Sequence, residues 1–371
     1  MNDSALRVDA SVIVYRLHDV GYEVNLERAA ECLAASAPER RRPAARTEAQ
    51  AIRIANPPVT VALATEQIRL GELPLTARVT ARLFDFAVVS LRVEIALPAD
   101  MEWPAFVEFA RRVDLVPECA PLFDRSLASL LERIRPAVTA HAVAPVTEDY
   151  IVFRLDAIRT NGGPASPAAF REDDLASILL GEKEPLAESA RRELLPHRFS
   201  YFTDDLAILT WNGALIVEPS VEDTDVQYVL EFANAQLLEL RVYDDLLDRE
   251  LPRLYAQVAA RRGGPAALLG RRYAAVLARI QRLMADTTEF VERVENALKV
   301  TDDVYLARIY STALEIFRGR TWRAGIDRKI GILRDTYSML SGEAQAARSE
   351  LLELAIVALI VLEIVLAFVR N

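Results

Sequence analysis

One stretch of the sequence carries a dense group of polar residues and is the strongest candidate for chemistry. Its members are Glu231, Asn234, Arg241, Asp244, Asp245 and Asp248. Most of them are three or four residues apart, which would place them on one face of a helix. Such a face could hold a cation, but helical-bundle metal sites usually carry Glu-x-x-His pairs, and the chain after Pro219 has no histidine. We therefore favour a structural network in which Arg241 pairs with one of the aspartates.

Recognisable catalytic and cofactor motifs are missing from the sequence. The histidines His18, His141 and His197 are isolated, without a second His or Cys at metal-binding spacing. Cys32 and Cys119 have no CxxC spacing, and no P-loop, GxGxxG or GxSxG motif occurs. We therefore expect no cofactor, no metal and no enzyme activity. The alternative is an enzyme or a small-ligand-binding protein with its site in the first half of the chain.

Composition and charge narrow the class of protein. The chain has 371 residues, 52% of them hydrophobic, so it can bury a large core. Its formal net charge of −10 argues against a nucleic-acid partner, which would require clustered Lys and Arg. The N-terminus carries acidic residues where a secretory signal would be basic, and we expect the body of the protein to stay in the cytoplasm.

Residues 1–219 have the pattern of an α/β domain. Short stretches rich in β-branched and aromatic residues predict strands over Val8–Leu17, Val59–Ala64, Val79–Leu97 with an internal break, Tyr150–Ala157 and Leu206–Val217. Helical patterns cover Val24–Ala35, Pro104–Val113, Pro121–His141 and Pro167–Leu180.

Residues 220–350 predict a helical stalk. A first helix should run from Glu222 to about Ala260 and be followed by a coiled-coil-like hairpin. One seam of the hairpin consists of Leu269, Tyr273, Val276, Ile280, Leu283, Thr287, Phe290, Val294 and Ala297. The other consists of Tyr305, Ile309, Thr312, Ile316, Ile326, Ile330, Leu333, Tyr337 and Leu340. The same phase continues towards the C-terminus, so we expect one unbroken helix from about Asp302 to Val369.

The segment Leu351–Val369 predicts a transmembrane helix. Of its 19 residues 17 are apolar, and a helix of this length is about 28 Å long, close to the thickness of a bilayer core. The competing interpretation is a helix buried in a soluble bundle, which the charge of Glu363 favours. In lipid, we expect Glu363 to mark an interface between copies of the chain, unless it snorkels or locally thins the bilayer.

A basic cluster precedes this segment. It consists of Arg318, Arg320, Arg323, Arg328, Lys329 and Arg334, with Asp327 as the one acid among them. An upright helix would hold even the nearest of these bases about 25 Å from the membrane, beyond lipid contact at physiological salt. We expect the cluster to pair with the acidic α/β domain or with an unidentified protein partner.

Longer motifs carry a family resemblance. The stretch Asp173–Tyr255 contains DDLASILLGEKEPL, SYFTDDLAILTWNGALIVEP and VLEFANAQLLELRVYDDLLDRELPRLY, and the chain ends in TYSMLSGEAQAARSELLELAIVALIVLEIVLAFVRN. These motifs resemble the family named for a requirement in meiotic nuclear division. Bacterial members are mostly domains of unknown function, and mitochondrial relatives are inner-membrane homo-oligomers that support translation. The resemblance implies a membrane segment and self-assembly.

Together these features predict an α+β protein with three parts: the α/β domain, a helical hairpin, and a C-terminal transmembrane helix at residues 351–369. We expect a homo-oligomeric scaffold or adaptor without a catalytic motif. It should be anchored in the lipid bilayer at the cytoplasmic face of the inner (plasma) membrane by a single C-terminal span.

Overall fold

The structure is a computed structural model that divides into two compact units. It describes residues 6–39, 56–70, 73–112, 114–181, 184, 186–218, 225–261, 274–297 and 304–369. The first unit is Met1–Val242 with Asn296–Arg320, and the second is Tyr243–Glu295 with Thr321–Asn371. The domain boundaries at residues 219 and 350 stay a prediction.

The first unit is built on a large mixed sheet. Over the described residues, its strands are β1 (Arg7–Asp19), β2 (Glu23–Val24), β3 (Val59–Leu70), β4 (Leu73–Leu83), β5 (Val88–Ala96), β6 (Met101–Glu102), β7 (Val138–Thr139), β8 (Thr147–Thr160), β9 (Gly163–Pro164), β10 (Arg198–Phe199), β11 (Leu206–Leu209) and β12 (Gly213–Val217). The order is β10-β11-β12-β8-β1-β5-β4-β3, with β6 beside β1 and β9 beside β8, while β2 pairs with β7. Neighbouring strands are antiparallel except β12 and β8, which are parallel.

The helices are concentrated towards the C-terminus. In the described part of the chain they are α1 (Leu26–Cys32), α2 (Trp103–Arg112), α3 (Leu115–Ile134), α4 (Glu172–Leu180), α5 (Glu188–Leu194), α6 (Asp225–Arg261), α7 (Ala274–Ala297), α8 (Val304–Ile316) and α9 (Gly319–Val369). The predicted α+β class is therefore confirmed, but the sheet is mainly antiparallel rather than the parallel sheet usual in α/β domains.

The two faces of the sheet differ in polarity. On β5, Val89, Leu91, Val93 and Ile95 are fully buried in the apolar core that also contains residues of α1 to α4. The alternate residues of β5 between them point to the other face and are polar: Ser90, Arg92 and Glu94. This second face is polar along β5, whereas on the neighbouring β1 it carries the buried side chains of Ile13, Tyr15 and Leu17.

One predicted element boundary is confirmed and another is wrong. The break predicted inside Val79–Leu97 is confirmed as the turn between β4 and β5, where Ala87 has a φ of 64°. The helix predicted to start at Pro121 was placed wrongly, because α3 begins at Leu115 and contains that proline. Leu115 and Cys119 are buried, so the apolar stripe of α3 extends in front of Pro121 and holds the first turns in the helix.

In the second unit, the described seam positions of α7, and those of α9 up to Leu340, are buried except Tyr337, which is half-buried. On α7, Val276, Ile280, Leu283 and Thr287 are buried, and on α9 so are Ile326, Ile330, Leu333 and Leu340. The Thr287 hydroxyl donates a hydrogen bond to the Leu283 carbonyl oxygen at 2.7 Å, which satisfies its polar atom within the helix. The Gln281 side-chain amide donates to the Tyr337 hydroxyl at 2.8 Å. The predicted seam residues Leu269 and Tyr273 lie outside the described residues.

The last helix had been predicted to run unbroken from about Asp302 to Val369, but the structure interrupts it. Phe317 and Arg318 separate α8 from α9, and Arg318 has a φ of 53°, which ends the helical path. The buried stripe of α8 is Leu306, Ile309, Ala313 and Phe317. Of the four seam positions predicted there, only Ile309 is fully buried, because the break allows α8 to adopt its own phase.

Within the residues that the structure describes, no helix is both long and apolar enough to cross a membrane. The transmembrane helix predicted at residues 351–369 is therefore not supported.

The seam of the second unit gives a matched test. Leu333→Ala should lower the free energy of unfolding by about 2–5 kcal/mol, because it leaves a cavity beside the buried side chains of the seam. Ile332→Ala, at the neighbouring and 37% exposed position, should cost less than about 1 kcal/mol. Urea denaturation followed by far-UV circular dichroism measures both. Equal losses in the two variants would contradict the seam.

Candidate functional site

The first part of α6 is buried on every face. Residues 226–240 are all buried, although an ordinary surface helix buries only one stripe. Phe232 shows that the helix is covered from two sides. Its ring lies 5.9 Å from that of Phe84, which follows β4, and 6.2 Å from that of Tyr310 on α8. The polar residues buried with it are Gln227, Glu231, Asn234, Gln236 and Glu239. Each needs a hydrogen-bonding or charged partner inside the protein.

The face of the sheet that carries Arg82 also carries charged side chains of β5 and β8. Strand register places Ser90, Arg92 and Glu94 beside residues of β1 and β8 on the same face. Arg92 pairs with Glu94 at 3.1 Å, and Arg154 of β8 pairs with the same carboxylate at 3.1 Å. The Ser11 and Ser90 hydroxyls are buried and have no hydrogen-bond partner among the described residues. The face is therefore charged and hydrogen-bonded internally.

A buried ion pair joins α6 to β4. The Arg82 guanidinium contacts the Glu231 carboxylate, and the side chains are only 7% and 2% exposed. Arg82 also donates to the Thr60 hydroxyl at 3.2 Å and lies over the Tyr228 ring, 4.8 Å from its centroid. Removing one member of such a pair leaves the other charge buried, which is the costly case.

Two acidic side chains meet between β1 and α6. Asp19, at the end of β1, hydrogen-bonds with Glu239 and accepts from the Gly21 backbone N–H at 3.2 Å. Burial raises the pKa of Asp19 to about 6, against the opposing effect of these hydrogen bonds. Two carboxyl groups can share a hydrogen bond only when one is protonated, and the raised pKa of Asp19 favours the protonated form. Gly21 is required here, because a Cβ would lie 2.8 Å from the Thr139 carbonyl oxygen.

A third contact joins α6 to β8. The Arg241 guanidinium donates to the Glu148 carboxylate, whose side chain is 9% exposed. Burial raises the pKa of Glu148, and the positive charge of Arg241 partly offsets this rise. Arg241 had been predicted to pair with an aspartate of its own helix, and the structure shows a partner for it on the sheet. Glu231, Glu239 and Arg241 thus meet three different strands.

The predicted polar group and the predicted basic cluster meet in the second unit. Lys329 Nζ lies 2.7 Å from the Asp244 carboxylate and 2.6 Å from that of Asp248. Burial lowers the pKa of Lys329, but these two carboxylates outweigh it and the net shift is upward. Asp245 pairs with Arg249 at 2.6 Å on the surface, four residues along the same helix. The group is therefore divided between the two units rather than forming one face.

The remaining predicted residues occupy separate environments. The Asn234 amide donates to the Leu230 carbonyl oxygen at 2.9 Å within α6. Arg318 lies over the Trp211 ring, with its Cζ 5.9 Å from the centroid, and Arg323 pairs with Asp327 at 3.8 Å. The other bases of the cluster are exposed at Arg320, Arg328 and Arg334, and Glu363 is also exposed.

Sequence reasoning missed the sheet partners of α6. Asp19, Arg82 and Glu148 lie 93 to 220 residues before their partners, and no local spacing connects them. Polar residues alternating with buried ones on β4 and β5 were the available signal. His18 is buried, and burial lowers its pKa to about 4, so its imidazole is neutral. Among the described residues, no group of three or more His, Cys, Asp or Glu is placed to hold a metal ion.

Comparison with known proteins places this chain in a family. The model described as uncharacterized protein MJ0711, N-terminal domain, matches residues 9–224. The chain belongs to this family. The match covers the sheet and its apolar-side helices, together with the sheet partners Asp19, Arg82 and Glu148.

A full-length relative agrees with this assignment. The uncharacterized protein MJ0711 of Methanocaldococcus jannaschii is 28% identical over 196 residues, which are 53% of this chain. The matched region covers 59% of the relative's length. These matches support a family of uncharacterised proteins and give no support to the resemblance to the meiotic-division family.

The buried ion pair can be tested by substitution. Glu231→Leu should lower the free energy of unfolding by about 3–5 kcal/mol, because the Arg82 charge stays buried without this carboxylate. Arg82→Met added to Glu231→Leu should recover at least half of that loss. Asp245→Ala is the control, because its surface pair with Arg249 contributes at most about 1 kcal/mol. Urea denaturation measures all three, and a small loss in Glu231→Leu would contradict a buried pair.

The Asp19–Glu239 pair predicts a pH dependence. Because the pKa of Asp19 rises from 3.8 to about 6 on folding, the folded state holds a proton that the unfolded state has lost. The stability that this proton gives should be present below about pH 4 and lost as the pH rises through about 6. Asp19→Asn stays neutral and should flatten this fall. Urea midpoints across the range, with Asp327→Asn as an exposed control, measure it, and parallel profiles for wild type and Asp19→Asn would contradict the pair.

Proposed function

We propose that this protein is a membrane-anchored scaffold whose sheet domain is held at the cytoplasmic face of a membrane. The observation that carries the proposal is the surface of α9 near its C-terminus. Every described side chain from residue 352 to residue 366 is exposed. The large hydrophobic ones are Leu352, Leu354, Ile356, Val357, Leu359, Ile360, Val361, Leu362, Ile364, Val365 and Leu366, each more than half exposed.

A surface of this kind requires a covering environment. Soluble monomers seldom expose contiguous apolar patches larger than a few hundred Å², whereas these side chains surround the helix on all sides. A partner helix would cover one stripe and leave the rest in water. A lipid bilayer covers every face at once, and we therefore favour lipid over a protein partner.

Self-association is part of the proposal. Glu363 lies among exposed apolar side chains, and a carboxylate in lipid requires protonation or a hydrogen-bonding neighbour. The same helix of another copy supplies such a neighbour at the same depth. The buried seam residues of α7 and α9 support a packed helical pair within the second unit.

A scaffold is favoured over an enzyme by the nature of the polar groups. The buried charges that the structure describes on α6 are paired with the sheet, where they hold the helix in place. Charges engaged in this way act in holding the fold together. We therefore assign the buried charges of α6 a structural role and propose that other surfaces bind the partners.

Removal of the apolar end of α9 tests the anchor. The full-length protein should stay in the membrane fraction after high-salt and alkaline carbonate washes, because apolar burial is not screened by salt. A chain ending at Ser349 should be found in the soluble fraction and remain folded by circular dichroism. Release of the intact chain by carbonate alone would contradict the anchor.

A second arm of the same experiment tests self-association. Glu363→Leu should remain in the membrane fraction but migrate as a smaller complex on a native gel in mild detergent. Ile360→Leu, one turn away and uncharged, is the matched control and should migrate as the wild type does. An unchanged size for Glu363→Leu would remove Glu363 from the proposed interface.

A further inference from the structure

The first unit contains a cavity away from the buried charge pairs of α6. It measures about 200 Å³ and is lined by β11, β12, the loop before β11 and the first residues of α6 and α8. This is smaller than the roughly 300–1,000 Å³ of sites for drug-sized ligands, but several times the volume of a water molecule. Its size suits one compact chemical group.

Aromatic rings form one wall of the cavity. The Tyr201 ring lies 4.8 Å from that of Phe202 at an interplanar angle of 83°, and 5.6 Å from that of Tyr305 at 62°. Tyr201 and Phe202 are 60% and 50% exposed, so both rings are accessible to a ligand. Because these rings are steeply inclined to one another, their faces point in different directions. Such an arrangement suits contact with a rounded chemical group better than with a flat one.

The loop that carries two of these rings is fixed in position. The Asp205 carboxylate accepts hydrogen bonds from the backbone N–H groups of Tyr201 and Phe202, at 2.8 and 3.0 Å. It also accepts from the Ser200 hydroxyl at 2.9 Å. The rings are therefore held beside the cavity before any ligand binds, which reduces the entropy cost of binding.

The charged residues of the lining are all acidic. Asp205, Glu218 and Asp225 contribute carboxylates, and the described lining contains no Lys, Arg or His. Several carboxylates around a partly enclosed volume produce a negative potential that attracts cations. Aromatic faces add to this attraction, because the ring quadrupole is negative above its plane.

We propose that this cavity binds a small alkylammonium group, with the rings of Tyr201, Phe202 and Tyr305 around the cation and the three carboxylates neutralising it. A planar guanidinium would stack on one ring and leave the inclined rings without contact. A bare ammonium is strongly hydrated and loses more by desolvation than an alkylated one. A metal ion is disfavoured, because the described residues contain no group of ligands placed to hold one.

This inference goes beyond the proposed scaffold and does not depend on the anchor. Isothermal titration of the full-length protein in mild detergent with choline should show one site per chain. The neutral isostere 3,3-dimethyl-1-butanol should bind at least about tenfold more weakly, because it lacks the charge. Equal binding of the two probes, or no binding of choline, would overturn the proposal.

Matched variants locate the site. Tyr201→Leu and Glu218→Gln should each weaken choline binding roughly three- to tenfold, since each removes a ring or a charge from the lining. Tyr255→Leu removes a similarly exposed tyrosine from the second unit and should bind choline as the wild type does. Unfolding temperatures confirm that each variant is folded. Unchanged binding in folded Tyr201→Leu would place choline elsewhere and overturn the proposal.

Two further probes define the ligand class. Glycerophosphocholine carries the same head group beside a phosphate, which the carboxylates should repel, so it should bind more weakly than choline. Methylguanidinium should also bind more weakly, because its plane matches only one ring. Tighter binding of either probe than of choline would contradict a site for a free alkylammonium cation.

Discussion

The constraint on which the first unit depends is that charged side chains buried beneath α6 must have partners. Residues 226–240 are buried on all faces, so each polar atom on this part of the helix must be satisfied by the sheet, by α8 or by the helix itself. Glu231 meets Arg82, Glu239 meets Asp19, and Arg241 meets Glu148. These three contacts fix both the rotation and the axial position of the helix on the sheet.

The sheet is divided between two tasks. Its apolar face packs against α1 to α4 and supplies the hydrophobic free energy of the domain. The face under α6 also buries apolar side chains such as Ile13 and Leu17, and its ion pairs add little net stability, because desolvation offsets much of each; a shift of α6 by one residue would nevertheless separate charges from their partners. The ion pairs therefore hold α6 in one position on the sheet, whereas apolar contacts alone would permit several positions. Beyond Val242 the same helix continues in the second unit, where Lys329 takes the place of the sheet as partner for Asp244 and Asp248.

Local sequence patterns predicted the elements better than the site. Short stretches rich in β-branched and aromatic residues located β1, β5 and β8, and heptad spacing identified Val276, Ile280, Ile326 and Leu333 as seam residues, because both signals depend on neighbours in the sequence. The break at Arg318 was missed, since a positive φ at arginine has no local signature. The partners of α6 were missed for a different reason. A group of acids and an arginine spaced by three and four residues looks like a network within one helix, and only the tertiary fold shows that Arg241 points to Glu148.

Native-state hydrogen exchange measures the central claim most directly, because amides in a buried central helix open only with the domain. Residues 226–240 of α6 should exchange as slowly as those of β1 and β5, and much more slowly than residues 243–261 of the same helix. The Glu231→Leu variant should accelerate exchange in residues 226–240 and in β4 together. Rapid exchange of residues 226–240 in the wild type, at the rate of an exposed helix, would contradict the account.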